Sequence, residues 1–320
     1  MYPMPVLPIK QSTKMKHLTV ILFLLGIFSS CAFSQTLNAD RVEKINAMLS
    51  SNSPDTAAIH SLLVEWQAEA PDDCELYPSW FNYYLLRSRE SVIYLNGYAE
   101  GQGPADNDSF VIADENGTPV GELANHTTYS PEYFQKSIES IDAGIAMYPS
   151  RLDFYMGKAT AQLWAGRYDD VVTTVLQTID ASLKNNNTWM WTNNEPLGEY
   201  GRERFNDITD IILQLVDAGE TNKALYLFDV LIASYSDYPM FQVIKADLLA
   251  YIGQYQQALA IYEPLLSSMS DDLMMVCNMA YAYRQLNMTD KVLEMCTILE
   301  KSNNDEAIQR AKQLRNSLSE

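Results

Sequence analysis

The chain has 320 residues, 47% of them hydrophobic, with Lys+Arg 22 against Asp+Glu 41 and a formal net charge of −19. This is the composition of a folded protein, and the length has room for about two domains. So acidic a balance disfavours nucleic acid and anionic membrane surfaces, both of which need Lys and Arg set against phosphate.

Lys14-Met15-Lys16-His17 is a short basic region ahead of an apolar run from Leu18 to Phe28. The run is too short to span a bilayer and has the length of a signal-peptide core. Ala32-Phe33-Ser34 puts small residues at cleavage offsets. Residues 1–34 therefore read as an upstream extension plus signal peptide, with Met15 as the functional start. Ser29-Ser30-Cys31 supports a second reading, a lipid anchor on Cys31, and an uncleaved anchor is a third. Each places the folded part outside the cytoplasm, in the periplasm or at an outer membrane. The composition resembles that of Gram-negative envelope proteins. Beyond Ser34 the cysteines are Cys74, Cys277 and Cys296. This odd set argues against a disulfide framework and leaves either one Cys277–Cys296 bridge or buried free thiols.

Residues 35–96 read as degenerate helical repeats. Asn38 or Asp40 caps a helix to Leu49, and Ser53-Pro54-Asp55 starts one that buries Ile59, Leu62, Leu63 and Trp66. A third helix is expected from about Pro78 to Leu95, apolar around most of its circumference. Residues 97–130 break the pattern with a glycine-rich loop and a β-hairpin at about 109–122, turning on Asn116-Gly117. This insertion is either a binding element or a tolerated decoration. Helices return over 131–185, where Ile138, Ile141 and Ile145 share one face and Gly166 marks a turn. Residues 186–204 hold Trp189 and Trp191, either an exposed platform for a ligand such as carbohydrate or a plug between irregular neighbours.

From 205 one unit is written three times, over 205–238, 239–272 and 273–306. Gly219, Gly253 and Asn287 interrupt apolar-periodic segments at a fixed spacing of 34 residues. The same interval joins Ala224, Ala258 and Val292, then Phe228, Tyr262 and Cys296, then Leu231, Leu265 and Leu299. A fixed period of this size marks stacked helical hairpins, none of which can bury its apolar face alone. Residues 304–320 add a capping helix with Ile308, Ala311 and Leu314 turned inward.

In length, turn and the small-then-aromatic order of the second helix, these units resemble the tetratricopeptide repeat (TPR) family. The family's first-helix tryptophan is replaced by Ile208, Gln242 and Val276. The resemblance implies an all-α, right-handed α-solenoid with a small β-hairpin insert, whose first helices line a concave groove. Along that groove it places Trp164, then Leu213 and Asp217, then Val243, Asp247 and Tyr251, then Asn278 and Tyr281. Relatives that clamp a peptide carboxylate use Lys, Asn and Arg where this chain has Thr209, Val243 and Cys277, so that activity does not transfer. The groove is apolar, aromatic and slightly acidic, which suits a peptide or helix of another protein.

His60 and His126 form no helical metal pair, and no CxxC, phosphate loop or nucleophile elbow occurs. Asp106-Asn107-Asp108 and Asp114-Glu115-Asn116 offer oxygen ligands without the spacing of a calcium loop. No cofactor, metal or catalytic group is expected. The expectation is a non-catalytic scaffold in the cell envelope, with a carbohydrate-associated accessory protein as the alternative.

Overall fold

A computed structural model describes residues 37–97 and 110–318. The signal segment, the Ser34 cleavage site, Cys31 and the Asp106-Asn107-Asp108 cluster lie outside them. The described residues divide into two compact units, one ending at Gln214 and the other beginning at Leu215.

The first unit opens with α1 (Leu37–Leu49), α2 (Thr56–Glu69) and α3 (Leu76–Ser88). The Asp55 carboxylate accepts from the Ala57 and Ala58 N–H groups, satisfying two donors that the start of α2 would otherwise leave orphaned. Ile45, Leu49, Ile59, Leu63, Trp66, Leu76 and Tyr83 form the core of these helices. The helix expected to reach Leu95 stops at Ser88. Its remainder is β1 (Arg89–Gly97), which pairs antiparallel with β3 (Pro119–Tyr129), as does β2 (Phe110–Ala113), in the order β1-β3-β2. The Ser88 carbonyl accepts from Ser130 N–H at 2.7 Å and starts the ladder. Val92, Ile93 and Tyr94 are β-branched or aromatic, so they favour the strand once a partner strand is present. The expected hairpin is thus two thirds of a sheet. At its turn Gly117 has φ +81°, and Asp114 Oδ1 accepts from the Asn116 and Thr118 N–H groups. That carboxylate organises the turn.

Next come α4 (Pro131–Met147), α5 (Leu152–Trp164) and α6 (Tyr168–Lys184). Phe81, Phe134, Ile141, Phe154 and Ala161 form a second core. Gly144 lets α3 and α4 approach closely, since a Cβ there would sit 2.8 Å from Tyr77 Cβ. Residues 186–204 hold a minimal ribbon, β4 (Met190–Trp191) against β5 (Glu195–Pro196), and α7 (Gly201–Asn206) begins within them. The unit boundary falls inside α8 (Ile208–Asp217).

The second unit continues with α9 (Thr221–Ser234), α10 (Met240–Tyr251), α11 (Tyr255–Leu265), α12 (Leu273–Gln285), α13 (Thr289–Glu300) and α14 (Asp305–Ser317). The sequence columns are its core. Ala224, Ala258, Val292, Phe228, Tyr262, Cys296, Leu231 and Leu299 are fully buried, and Leu265 packs against them half-buried. The hairpin turns repeat to the level of single hydrogen bonds. Gly166, Gly219, Gly253 and Asn287 all have left-handed φ, between +59° and +83°. After each, the next N–H reaches back five residues: Arg167 to Gln162, Glu220 to Leu215, Gln254 to Leu249 and Met288 to Tyr283, at 2.7–3.0 Å. This closes the helix end on otherwise orphaned carbonyls. Asparagine replaces glycine in the last copy because its short polar side chain tolerates that region. Asn304 caps α14 through Ala307 N–H. The fold is an all-α array of stacked helical hairpins with a small antiparallel sheet inserted.

Candidate functional site

The first helices of two successive repeats, α10 and α12, meet in a polar tie. Asp247 accepts from the Tyr262 hydroxyl on α11 and from Asn278 Nδ2 on α12, the latter at 2.7 Å. Burial raises the Asp247 carboxyl to about 6, against the two hydrogen bonds, which favour its charged form. The hydroxyl of Tyr262 is likewise pushed above its ordinary range by burial and by the facing carboxylate. Tyr251, one turn beyond Asp247 on the same helical face, is 53% exposed. Tyr281, one turn beyond Asn278, is half-buried and meets the Tyr255 ring edge-on at 5.9 Å. What this face offers is phenol rings near a half-buried carboxylate, able to receive apolar side chains and hydrogen-bonding groups together.

The structure redistributes the expected groove residues. Val243 and Asn278 are buried, not presented to a partner, because the stacked neighbour covers them. Asp247 is turned into the tie. Asp217 is exposed, while Trp164 and Leu213 are half-buried and belong to the unit that ends at Gln214. Tyr255, half-buried against Tyr281, and the fully buried Tyr262 of the tie were missed. Tyr262 was visible only as the aromatic column of the repeat.

Trp189 and Trp191 are not an exposed pair. Trp189 is 1% exposed, stacked on Phe205 at 6.4 Å and edge-on to Tyr155 at 5.9 Å. Trp191 is half-buried, with the Arg204 guanidinium 5.8 Å from its ring. Trp189 is spent on packing the irregular segment, while Trp191 keeps part of its surface.

A charged cluster was not foreseen. Arg151, fully buried, holds Asp153 through two bonds of 2.8 and 2.7 Å and Glu75 at 2.7 Å. Its guanidinium lies 4.2 Å from the Phe154 ring. Glu75 Oε1 also accepts from Asn193 N–H at 2.6 Å. Burial raises the Glu75 carboxyl, with Arg151 acting against it. Burial alone would lower the Arg151 guanidinium, yet Asp153 and Glu75 hold it above its ordinary value. Every member faces another, so the cluster ties the α2–α3 connection to residues 190–193 instead of meeting a ligand. A cleft of about 540 Å³ beside α4–α6 is lined by Asp142, Tyr155, Asp180 and Lys184. Its carboxylates are already occupied, Asp142 by Lys158 and Asp180 by Lys184, each at 2.6 Å.

Cys74, Cys277 and Cys296 are free thiols, so the conceivable Cys277–Cys296 bridge is not formed. Burial pushes all three up, Cys74 to about 11, which leaves little thiolate at neutral pH. Among the described residues no three His, Cys, Asp or Glu side chains gather as a metal site, and no helix is long and apolar enough to cross a membrane.

No protein-family model matches the chain, and no curated protein matches it. Among solved structures, the P58(IPK) TPR domain is 11% identical, with 88% of this chain and 68% of that one covered, at a TM-score of 0.27. Yeast Tom70 is 11% identical, with 94% and 70% covered, at a TM-score of 0.31. At such scores neither likeness carries weight for fold or function. The TPR-like character of the chain rests on its own period, its buried columns and its four matching turns.

Proposed function

We propose that this chain is a non-catalytic scaffold of the bacterial cell envelope that binds a peptide or helix of another protein along the first-helix face of its repeats. The observation that carries this reading is the pair of first-helix tyrosines, Tyr251 of α10 and Tyr281 of α12, each one turn beyond a member of the Asp247–Asn278 tie, with Tyr255 of α11 edge-on to Tyr281. Aromatic side chains that are partly free and rigidly backed are the usual anchors of protein interfaces, because they contribute large contact area at little entropic cost. The Lys14–His17 region, the Leu18–Phe28 run and Ala32-Phe33-Ser34 support export, with Cys31 as a candidate lipid anchor. The test is affinity capture from an envelope extract by the full mature chain and by its Tyr251→Ala plus Tyr281→Ala variant. At least one partner should be lost from the variant, while unaltered recovery of every partner sinks the groove. Mass spectrometry of the mature N-terminus reads the export half of the proposal: an intact Met1 or Met15 start contradicts signal cleavage.

A further inference from the structure

The three-stranded sheet carries a surface that the groove does not use. Pairing sets Leu95, Leu123 and Phe110 in one row across β1, β3 and β2, and Ile93 lies two residues along β1 on the same face. These four are 67, 38, 72 and 70% exposed. At about 200 Å² for a whole residue of this size, they leave roughly 500 Å² of apolar surface in water. That is near the top of what the largest patch on a monomer reaches, and such patches mark contact surfaces.

The charged residues of the strands sort by face. Alternation puts Glu90, Glu122 and His126 on the opposite side, where the His126 ring meets Tyr94 edge-on at 5.2 Å. Arg89 shares the apolar face. It is exposed, pairs with Tyr129 at the end nearest the helices, and lies four residues, about 13 Å, from Ile93. The centre of the face therefore carries no charge, in a chain of net charge −19.

The face also fits itself. Two sheets stack about 10 Å apart with their side chains interdigitated. A two-fold axis along the Leu95–Leu123–Phe110 row lays Ile93 of each copy opposite Gly97 of the other, since these two flank Leu95 equally along β1. A Cβ at Gly97 would meet nothing within 4 Å, so the space above it is open to the incoming isoleucine. The same axis sends the two Arg89 to opposite ends, roughly 40 Å apart and well beyond a Debye length of about 8 Å. Covering the four apolar residues on both copies removes roughly 1,000 Å² from water, the lower limit for a specific interface.

We propose that this face joins two copies of the chain in a reversible two-fold dimer, sheet against sheet, through Ile93, Leu95, Phe110 and Leu123. Sedimentation of the full mature chain from about 1 to about 100 µM should show monomer passing into dimer, as suits an interface of this area. Amide exchange in β1, β2 and β3 should slow over the same range. Raising sodium chloride from about 0.05 to about 0.5 M should tighten the dimer, because salt screens the repulsion between two acidic copies and the covered row has no charge to lose. Ile93→Asp plus Leu95→Asp, at exposed positions, should weaken it at least about tenfold with the circular dichroism unchanged. Tyr251→Ala plus Tyr281→Ala should leave it intact, which separates this face from the groove. The salt and exchange series use the unaltered chain and so stand even if the aspartate variant misfolds. A monomer throughout the range, a dimer indifferent to the two aspartates, or protection outside the sheet overturns the proposal. So does a dimer lost in the tyrosine variant, or strand protection gained only on phosphatidylcholine vesicles.

Discussion

The hairpins of Leu215–Glu320 and the segment 186–204 are held in opposite ways. In the hairpins one solution recurs. Three apolar columns fall in the same places, the last of them leucine in every copy, and each turn closes on bonds that reach back five residues. In 186–204 nothing recurs. Trp189 is clamped by Tyr155 and Phe205, Met190 N–H reaches the Ser150 carbonyl, and Asn193 N–H reaches Glu75, 118 residues away. Where the repeat is broken, the chain relies on distant partners and on a buried ion cluster in place of columns. The difference teaches that regular units are specified redundantly and the irregular one by a few irreplaceable groups.

That contrast breaks if losing one such group proves no worse than losing one turn residue. Arg151→Met should have the largest effect, because it strands Glu75 and Asp153 in the interior without a counter-charge. A loss of about 3–5 kcal/mol is expected in urea unfolding, with faster amide exchange over 186–204. A smaller effect comes from Asp247. Its folded pKa of about 6 lies above that of an unfolded aspartate, so the folded state binds the proton more tightly. Stability in this unit should therefore fall as pH rises from about 4 through 6, by about 1–2 kcal/mol. Asp247→Asn should flatten that part of the profile, and a wild-type curve already flat between those values contradicts the buried carboxylate. The least effect is expected at one turn. Gly253→Ala should cost about 1 kcal/mol through its left-handed φ, while Asn287→Gly should cost nothing measurable. Thermal unfolding of both variants reads the difference.

The repeats were legible because their period survives changes of residue. Asn287 for glycine and Val292 for alanine keep both the turn and the column. β1 was misread because an apolar run on every side suits a buried helix as well as a strand, and the choice was made by β3, more than 20 residues downstream. The Glu75–Arg151–Asp153 cluster left no signal, since its pairing links residues 76 apart and neither end belongs to a pattern. Asp247 and Asn278 were assigned to the groove from the family resemblance, which puts the first helices on the concave face. Their offset of 31 residues, one repeat less about a turn, already placed them on neighbouring first helices, close enough to bond to each other before any partner.

The turn bonds have a kinetic meaning as well. Since each hairpin turn is closed by contacts at most five residues apart, no turn waits for a remote segment before it closes. Low contact order of this kind allows folding on the microsecond-to-millisecond scale, starting at whichever hairpin is free first. A chain released gradually, from one end, would assemble hairpin by hairpin and seldom expose more than one unfinished seam.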